Sequence, residues 1–199
     1  MLTGGSGVTT ALRALGEILE AQALHYAIIV VGGSAMNLHG FVSRTTRDVD
    51  VMAFGEPSDG PAPEATRPPD SLPEPLRRAV RLVASQLNLD EDWLNTVTAL
   101  QWEQGLPEGF GKRVTWSDYR GLRVGLAGRQ DLISLKLYAA ADDIGPRSVH
   151  YQDLLAMNPS AEELSLAESW VGRQDPSRAF AKTLKRVMAS VRADPSGNR

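Results

Sequence analysis

The sequence predicts an α/β (α+β) fold, with a mixed β-sheet flanked by helices and a helical region at the C-terminus. Three observations predict it. The run YAIIVV at 26–31 is short, apolar throughout and rich in β-branched residues, as in a strand buried on both faces. The run RDVDVMAF at 47–54 alternates polar with apolar residues, as a second strand does. Apolar residues at helical spacing precede the first strand and fill the C-terminal part of the chain.

The N-terminal elements follow one another closely. Residues 8–24 have their leucines and isoleucine on one face and predict a helix. After strand 26–31, the glycine pair at 32–33 breaks the strand, and Ser34 is expected to N-cap a short helix. Gly40 suits the C-terminal end of that helix.

The segment 55–75 differs in composition from the rest of the chain. It holds seven of the twelve prolines, interspersed with glycine and acidic residues, which is typical of a surface loop. Beyond it, the patterns predict a helix over 72–89, a strand over 119–127 and a helix over 129–143.

Two helices are predicted to close the chain. The first, over 160–174, opens with Ser160 and Glu163 in a capping-box pattern. The second is expected to start from Asp175 as N-cap, with Pro176 at its first position. We therefore predict one domain over 1–157, including the loop 55–75, and a C-terminal helical region over 158–199 packed on it.

The composition is that of a globular protein outside the membrane, with 42% apolar and 23% charged residues. The absence of cysteine excludes disulfides and cysteine-ligated zinc. Neither a signal peptide nor a membrane span is predicted, and we expect a cytoplasmic location. The net charge of −3 gives no global attraction to nucleic acid, so an RNA partner would need a local basic patch.

Asp48 and Asp50 are the first candidate site residues. Two carboxylates at i and i+2 of a strand point the same way, with Cβ atoms about 6 to 7 Å apart. Like charges held that close repel each other unless a cation lies between them. Mg²⁺ is the natural candidate, because it takes hard oxygen ligands from one or two carboxylates and from substrate phosphates.

The glycine turn supplies the other half of a nucleotide site. Gly32 and Gly33 let the backbone approach a phosphate closely, and Ser34 adds a hydroxyl at the same place. Each motif alone has a plainer explanation, since a glycine pair after a strand is usually a tight turn and most DxD pairs lie on the solvated surface. The combination of strand, turn, short helix and alternating DxD strand favours nucleotide chemistry.

At these residues the sequence resembles the nucleotidyltransferase superfamily related to DNA polymerase β. It is more similar to bacterial proteins of the AbiEii toxin type and their relatives, which share GGxA, then HG, then RxTxDxD. The chain meets that pattern with GGSA at 32–35, HG at 39–40 and RTTRDVD at 44–50. A rear pattern, DLxxxKLxA, is reproduced over 131–139, and a later basic-then-DL stretch is matched by Arg147, Asp153 and Leu154.

The resemblance implies a nucleotidyltransferase-like domain that binds a nucleoside triphosphate with Mg²⁺ or Mn²⁺. Asp48 and Asp50 would be catalytic metal ligands, and the residues that would bind the nucleotide are Gly32, Gly33, Ser34, Arg44, Thr46 and Lys136. A nucleoside monophosphate would pass to a hydroxyl of an RNA, such as tRNA, or of a protein, in a toxin–antitoxin pair with an antitoxin partner. For Lys136, position alone favours a solvent-facing side chain, whereas the resemblance implies a phosphate contact.

One departure from the family concerns a third carboxylate, which relatives carry on a neighbouring strand as metal ligand or general base. Thr96 follows Asn95 where an aspartate is expected, and possible substitutes are Glu91, Asp92, Glu103 and Asp118. The alternative hypothesis is therefore a catalytically degenerate domain of the same fold that binds a nucleotide or a protein partner. A weaker alternative is modification of aminoglycosides, because small enzymes that adenylate these drugs share the front motif.

Overall fold

The computed structural model describes residues 1–55, 65–67, 71–99, 101, 105–143 and 148–193. Contacts divide the chain into two compact units, Met1–Gly128 and Arg129–Arg199. The division falls earlier than the domain boundary predicted at residue 157. That boundary stays a prediction, because a compact unit need not coincide with a domain.

A mixed sheet forms the centre of the first unit. The strands of this unit are β1 (Leu2–Thr3), β2 (Tyr26–Val31), β3 (Thr45–Thr46), β4 (Val49–Gly55), β5 (Ala65–Arg67), β6 (Leu94–Asn95), β7 (Thr115–Tyr119) and β8 (Leu122–Leu126). The main sheet has the order β5-β4-β2-β8-β7, and β6 also pairs with β4. Strands β2 and β8 are parallel, as are β4 and β6, whereas β4 is antiparallel to β2. The predicted α/β fold is confirmed.

The helices of the first unit are α1 (Gly4–Ala21), α2 (Gly32–Leu38) and α3 (Glu74–Leu87). Helix α1 buries Leu12, Leu15 and Leu19 of the predicted apolar face, together with Val8, whereas Ile18 of that face is half-buried. Five of the six residues of β2 are buried, as expected for a central strand with neighbours on both sides. Helix α2 begins at Gly32, so the prediction that Ser34 is its N-cap is wrong.

The second unit is helical, with α4 (Arg129–Asp142), α5 (Val149–Ala156), α6 (Ala161–Gln174) and α7 (Arg178–Ala193). Helix α4 packs against all three of the others. Its buried residues are therefore spread around the helix and include the polar side chains of Asp131, Ser134 and Lys136. The capping box predicted at Ser160 and Glu163 is present at the start of α6.

The start of α7 differs from the prediction. The helix begins at Arg178, so Asp175 and Pro176 are not its N-cap and first residue. Ser177 caps it instead, because the Ser177 hydroxyl accepts a hydrogen bond from the Phe180 amide at 3.2 Å. Asp175 in turn accepts from the Ser177 amide at 2.7 Å, which holds the capping serine in place.

Most of the proline-rich segment 55–75 lies outside the described residues, apart from Gly55, β5 and residues 71–75. Several described elements were not predicted, namely the short strands β1, β3, β5 and β6, the longer strand β7 and the helix α5. Strand β7 lies at the edge of the sheet and pairs with β8 as an antiparallel hairpin, closed by Arg120 and Gly121.

Candidate functional site

The candidate site lies where β2 ends and β4 begins. Because these two strands are antiparallel neighbours, the last residue of one meets the first residues of the other, and Val31 pairs with Asp50. Asp48 directly precedes β4, and Asp50 is its second residue. Both aspartates are half-buried, so their carboxylates lie at the surface of the sheet edge rather than in the core. The fold thus brings the glycine turn and the DxD pair together, as the sequence predicts.

Gly32 makes room for the carboxylate of Asp50. Its φ of +69° is in the left-handed region, which glycine adopts at no steric cost. A Cβ atom added at Gly32 would overlap Oδ2 of Asp50. Glycine is thus required here for two independent reasons, the backbone conformation and the close approach of a carboxylate.

Gly33 makes a similar approach possible for two other predicted site residues. A Cβ atom at Gly33 would lie 3.0 Å from Nη2 of Arg44 and 3.1 Å from Oγ1 of Thr46. The guanidinium group and the hydroxyl group therefore lie against the backbone of the turn. Arg44 is half-buried and Thr46 is buried, so the turn has a positive charge and a hydroxyl group against its backbone at Gly33.

Two hydroxyl groups hold the backbone of Asp48. Ser34, which is fully buried, donates its hydroxyl hydrogen to the carbonyl oxygen of Asp48 at 2.5 Å. Thr46 donates to the same oxygen at a longer distance of 3.4 Å. The buried serine therefore links the glycine turn to the first residue of the DxD motif, which fixes the position of Asp48 relative to Gly32 and Gly33.

Asn37 and His39 support the same region. Oδ1 of Asn37 accepts a hydrogen bond from the Arg44 amide at 3.2 Å, which holds the loop between α2 and β3. Nε2 of His39 is 3.0 Å from the Ala127 carbonyl oxygen, beyond the end of β8. The histidine at the end of α2 thus contacts the backbone that follows β8. Nothing in the sequence marks Asn37, because its role depends on a tertiary contact.

The carboxylate pair suits a divalent cation. The Asp48 side chain makes no hydrogen bond or ion pair with any described residue. Among the described residues, no group of three or more histidine or acidic side chains converges on one point. A two-carboxylate site still fits Mg²⁺, which commonly keeps several waters and completes its shell with substrate phosphates. The residues present therefore fit a metal held jointly by protein and nucleotide.

The position beside Asp50 on the neighbouring strand carries an amide. Asn95 in β6 pairs in register with Asp50, which places the two Cα atoms about 4.8 Å apart across a parallel pair. Its Oδ1 accepts a hydrogen bond from the Val97 amide at 3.0 Å and so starts the 3₁₀ turn Val97–Ala99. The residue nearest to Asp50 on this strand is therefore Asn95 rather than Thr96, and it is neutral.

The substitutes considered for a third carboxylate lie in different places. Glu91 and Asp92 are exposed residues that line a cavity of about 350 Å³ together with Asn95. Asp118 lies in the edge strand β7, two strands away from β2, and forms an ion pair with Arg123 at 3.4 Å. Glu103 lies outside the described residues.

Lys136 belongs to the second unit, where it forms a buried ion pair. Its Nζ atom is 2.7 Å from Oδ2 of Asp153, and the two side chains are 8% and 2% exposed. The interpretation as a solvent-facing lysine is wrong, and the expected contact with a nucleotide stays a prediction. The pair joins the rear DLxxxKLxA pattern in α4 to the later DL stretch in α5, two patterns that are separate in the sequence.

Comparison with known proteins gives one match. Residues 10–60, about a quarter of the chain, match the model of a family described as "Nucleotidyltransferase of unknown function (DUF6036)". The matched segment contains most of α1, all of β2, the glycine turn and the DxD motif, and it supports the nucleotidyltransferase superfamily. No curated protein and no solved structure matches the chain significantly. None of the described helices is long and apolar enough to cross a membrane.

Proposed function

We propose that the site formed by Gly32, Gly33, Ser34, Asp48 and Asp50 binds a nucleoside triphosphate with Mg²⁺ (or Mn²⁺) and transfers a nucleoside monophosphate to a hydroxyl group. The observation that carries this proposal is the space that Gly32 leaves for the Asp50 carboxylate at the end of β2. A turn that served only to reverse the chain would not need a carboxylate against its glycine. The family match over residues 10–60 supports the same chemistry.

The charges of the site suit this reaction. Asp48 and Asp50 would hold the metal, whose contribution is to neutralise the phosphates and stabilise the charge that develops during transfer. The backbone at Gly32 and Gly33 would approach the phosphates, and Arg44 adds a positive charge against Gly33.

In the transfer, the acceptor hydroxyl oxygen forms a bond to the α-phosphorus, and the bond to the β-phosphate oxygen breaks. Pyrophosphate leaves with the electron pair of that bond, and the hydroxyl proton is lost to solvent or to a carboxylate. The protein contributes mainly by positioning the reactants, a contribution of several kcal/mol in well-ordered sites. The proposal further specifies that the acceptor is an RNA or a protein, and that the chain acts as a toxin with an antitoxin partner.

A second candidate function is nucleotide or protein binding without chemistry, and Asn95 is the observation that favours it. A third carboxylate at this position would serve as metal ligand or general base. The oxygen of an amide can coordinate a metal ion but brings no negative charge to it, and an amide cannot take up a proton as a general base at neutral pH.

The test is incubation of the full chain with each of the four α-³²P-labelled nucleoside triphosphates, Mg²⁺, and total tRNA or the chain itself as acceptor. The first candidate predicts labelled acceptor and released pyrophosphate with at least one nucleotide, and loss of both in Asp48→Asn and in Asp50→Asn. Full transfer by both variants would contradict the assignment of the site. Metal-dependent binding without any transfer would select the second candidate.

A further inference from the structure

Helix α7 presents a continuous basic face. Arg178, Lys182, Lys185 and Arg186 follow the helical spacing i, i+4, i+7 and i+8. At about 100° per residue these four side chains fall within about 100° of the helix circumference. All four are exposed, and none forms an ion pair or hydrogen bond with any other described residue. Their charges are thus available to a partner.

The opposite face of the same helix is buried in the second unit. The stripe of Phe180, Leu184, Val187, Met188 and Val191 is buried and lies about 180° around the helix from the cations. The basic face is therefore turned away from the core of the unit by the packing that holds the helix in place.

The sequence of α7 departs from that of an ordinary solvated helix face. Such faces usually mix charges of both signs, which form i, i+4 pairs and limit repulsion. Helix α7 contains no acidic residue over Arg178–Ala193. Arg192, on the flank of the basic face, differs from the four cations, because it forms an ion pair with Glu168 of α6 at 2.9 Å. The four unpaired cations are like charges held together in a chain whose net charge is −3.

We propose that this basic face of α7 (Arg178, Lys182, Lys185 and Arg186) binds the phosphodiester backbone of a nucleic acid. The four residues extend over about 12 Å at a rise of about 1.5 Å per residue. A nucleic-acid strand carries one phosphate per about 3.4 Å of helix axis, so the face spans three to four phosphates of one strand. The interaction is sequence-independent, because it involves no group that reads base edges.

A protein partner fits the face less well. Protein interfaces are depleted in lysine and depend on buried aromatic or aliphatic anchors. The large apolar side chains that are exposed among the described residues all lie outside α7. The face thus offers charge without an apolar anchor, which is the character of a backbone-binding surface rather than a protein interface. The inference does not depend on the transfer reaction, so either can fail alone.

The experiment measures binding of the full chain to fluorescein-labelled 20-nucleotide RNA, single-stranded and duplex, by anisotropy between 50 and 200 mM NaCl. DNA of the same sequence and vesicles of phosphatidylcholine with phosphatidylserine form parallel arms. Four backbone contacts predict a slope of log K against log [salt] of about −2.8 for single strands and about −3.6 for duplex. The affinity for duplex should therefore fall about 100-fold over this range of salt.

The test variant replaces all four cations, Arg178→Gln, Lys182→Gln, Lys185→Gln and Arg186→Gln. Glutamine has nearly the same helix propensity as lysine and arginine, so α7 should persist, as circular dichroism and thermal unfolding will show. The control variant removes four cations of the first unit that are also exposed and have no ion-pair or hydrogen-bond partner among the described residues; these are Arg13, Arg78, Arg81 and Lys112.

The proposal predicts that the test variant loses at least ten-fold in affinity and most of its salt slope, while the control variant keeps both. Equal loss in the two variants would show a non-specific effect of net charge and overturn the proposal. Unchanged binding by the test variant, absence of binding to RNA and DNA by the wild type, or binding to vesicles alone would overturn it as well. Tighter binding to RNA than to DNA would identify RNA as the source of the phosphates.

Discussion

Gly32→Ala is the substitution that tests the geometry of the site most sharply. It has two effects, a backbone cost from φ of +69° and a steric conflict between the new Cβ atom and Oδ2 of Asp50. Gly40→Ala is its matched control, because Gly40 has φ of +75° and no atom of the described residues lies within 4 Å of an added Cβ. Both variants should lose about 1 to 2 kcal/mol of unfolding free energy, the cost of a left-handed residue with a side chain.

Only Gly32→Ala should disturb the carboxylate. Oδ2 of Asp50 must withdraw by about 1 Å to restore an ordinary non-bonded separation from the new methyl group. A displacement of that size at a reacting centre costs about 100-fold in rate. We therefore expect Gly32→Ala to lose transfer by about that factor and to bind the nucleotide with its metal more weakly, while Gly40→Ala keeps both.

Urea unfolding gives the stability of both variants, and isothermal titration with a nucleoside triphosphate and Mg²⁺ gives the binding. Equal ligand affinity in the two variants would refute the reasoning, since it would mean that the carboxylate position beside Gly32 is irrelevant. A much larger loss of stability in Gly40→Ala than in Gly32→Ala would also contradict it, because the open space around Gly40 leaves only the backbone cost.

Two further predictions concern the second unit. Lys136→Met should destabilise the chain by about 3 to 5 kcal/mol, because it leaves the Asp153 carboxylate buried without its counter-charge. The double variant Lys136→Met, Asp153→Leu should be less destabilised than the single variant, as measured by urea unfolding. If the single variant lost less than about 1 kcal/mol of unfolding free energy, the ion pair would be open to water and the reasoning would be wrong. Hydrogen bonding from Arg129 lowers the pKa of Glu163 below its ordinary value near 4.5. As the pH falls through the pKa values of Glu163 in the unfolded and folded chain, the unfolded chain binds more protons, so the free energy of unfolding should fall on acidification. In Glu163→Gln this fall should be smaller. An unchanged dependence of stability on pH in the variant would contradict the role given to Glu163.

The parts of the fold that sequence could predict are those set by local patterning. Strand β2 is recognisable because its apolar run ends at Gly32, and α1 because its apolar residues recur at helical spacing. The capping box of Ser160 and Glu163 is a local motif and forms as expected. The DxD motif meets the glycine turn because β2 and β4 are antiparallel neighbours in the sheet, so the end of one strand faces the start of the other.

The parts that sequence could not predict depend on tertiary contacts. Ser34 follows a strand and precedes apolar residues, as N-caps do, yet its hydroxyl is taken by the Asp48 carbonyl across the strand pair. Strand β6 has only two residues, so its register against β4, and hence the position of Asn95 beside Asp50, has no local signal.

Lys136 shows the same difficulty in a helix. It lies between two leucines, where an amphipathic helix would turn it to solvent, but α4 has neighbours on several sides. When a helix is surrounded, helical spacing no longer separates inside from outside, and a charged residue becomes buried with its partner. The short helix α5 and the edge strand β7 lack strong periodicity and were missed for a related reason, since packing rather than pattern defines them.

The central claim is that Asp48 and Asp50 hold a divalent cation with a nucleotide, and thermal unfolding tests it most directly. The experiment compares three proteins: the wild type, the double variant Asp48→Asn, Asp50→Asn, and a control double variant at the exposed residues Asp142 and Asp143. Each protein is unfolded with ATP, GTP, CTP or UTP, in the presence and in the absence of Mg²⁺. A ligand at 100 times its Kd adds about 2.7 kcal/mol to the folded state. The account predicts stabilisation that needs both metal and nucleotide, is kept in the control and is lost in the site variant. Stabilisation of the site variant equal to that of the wild type would contradict it, as would no stabilisation of the wild type by any nucleotide.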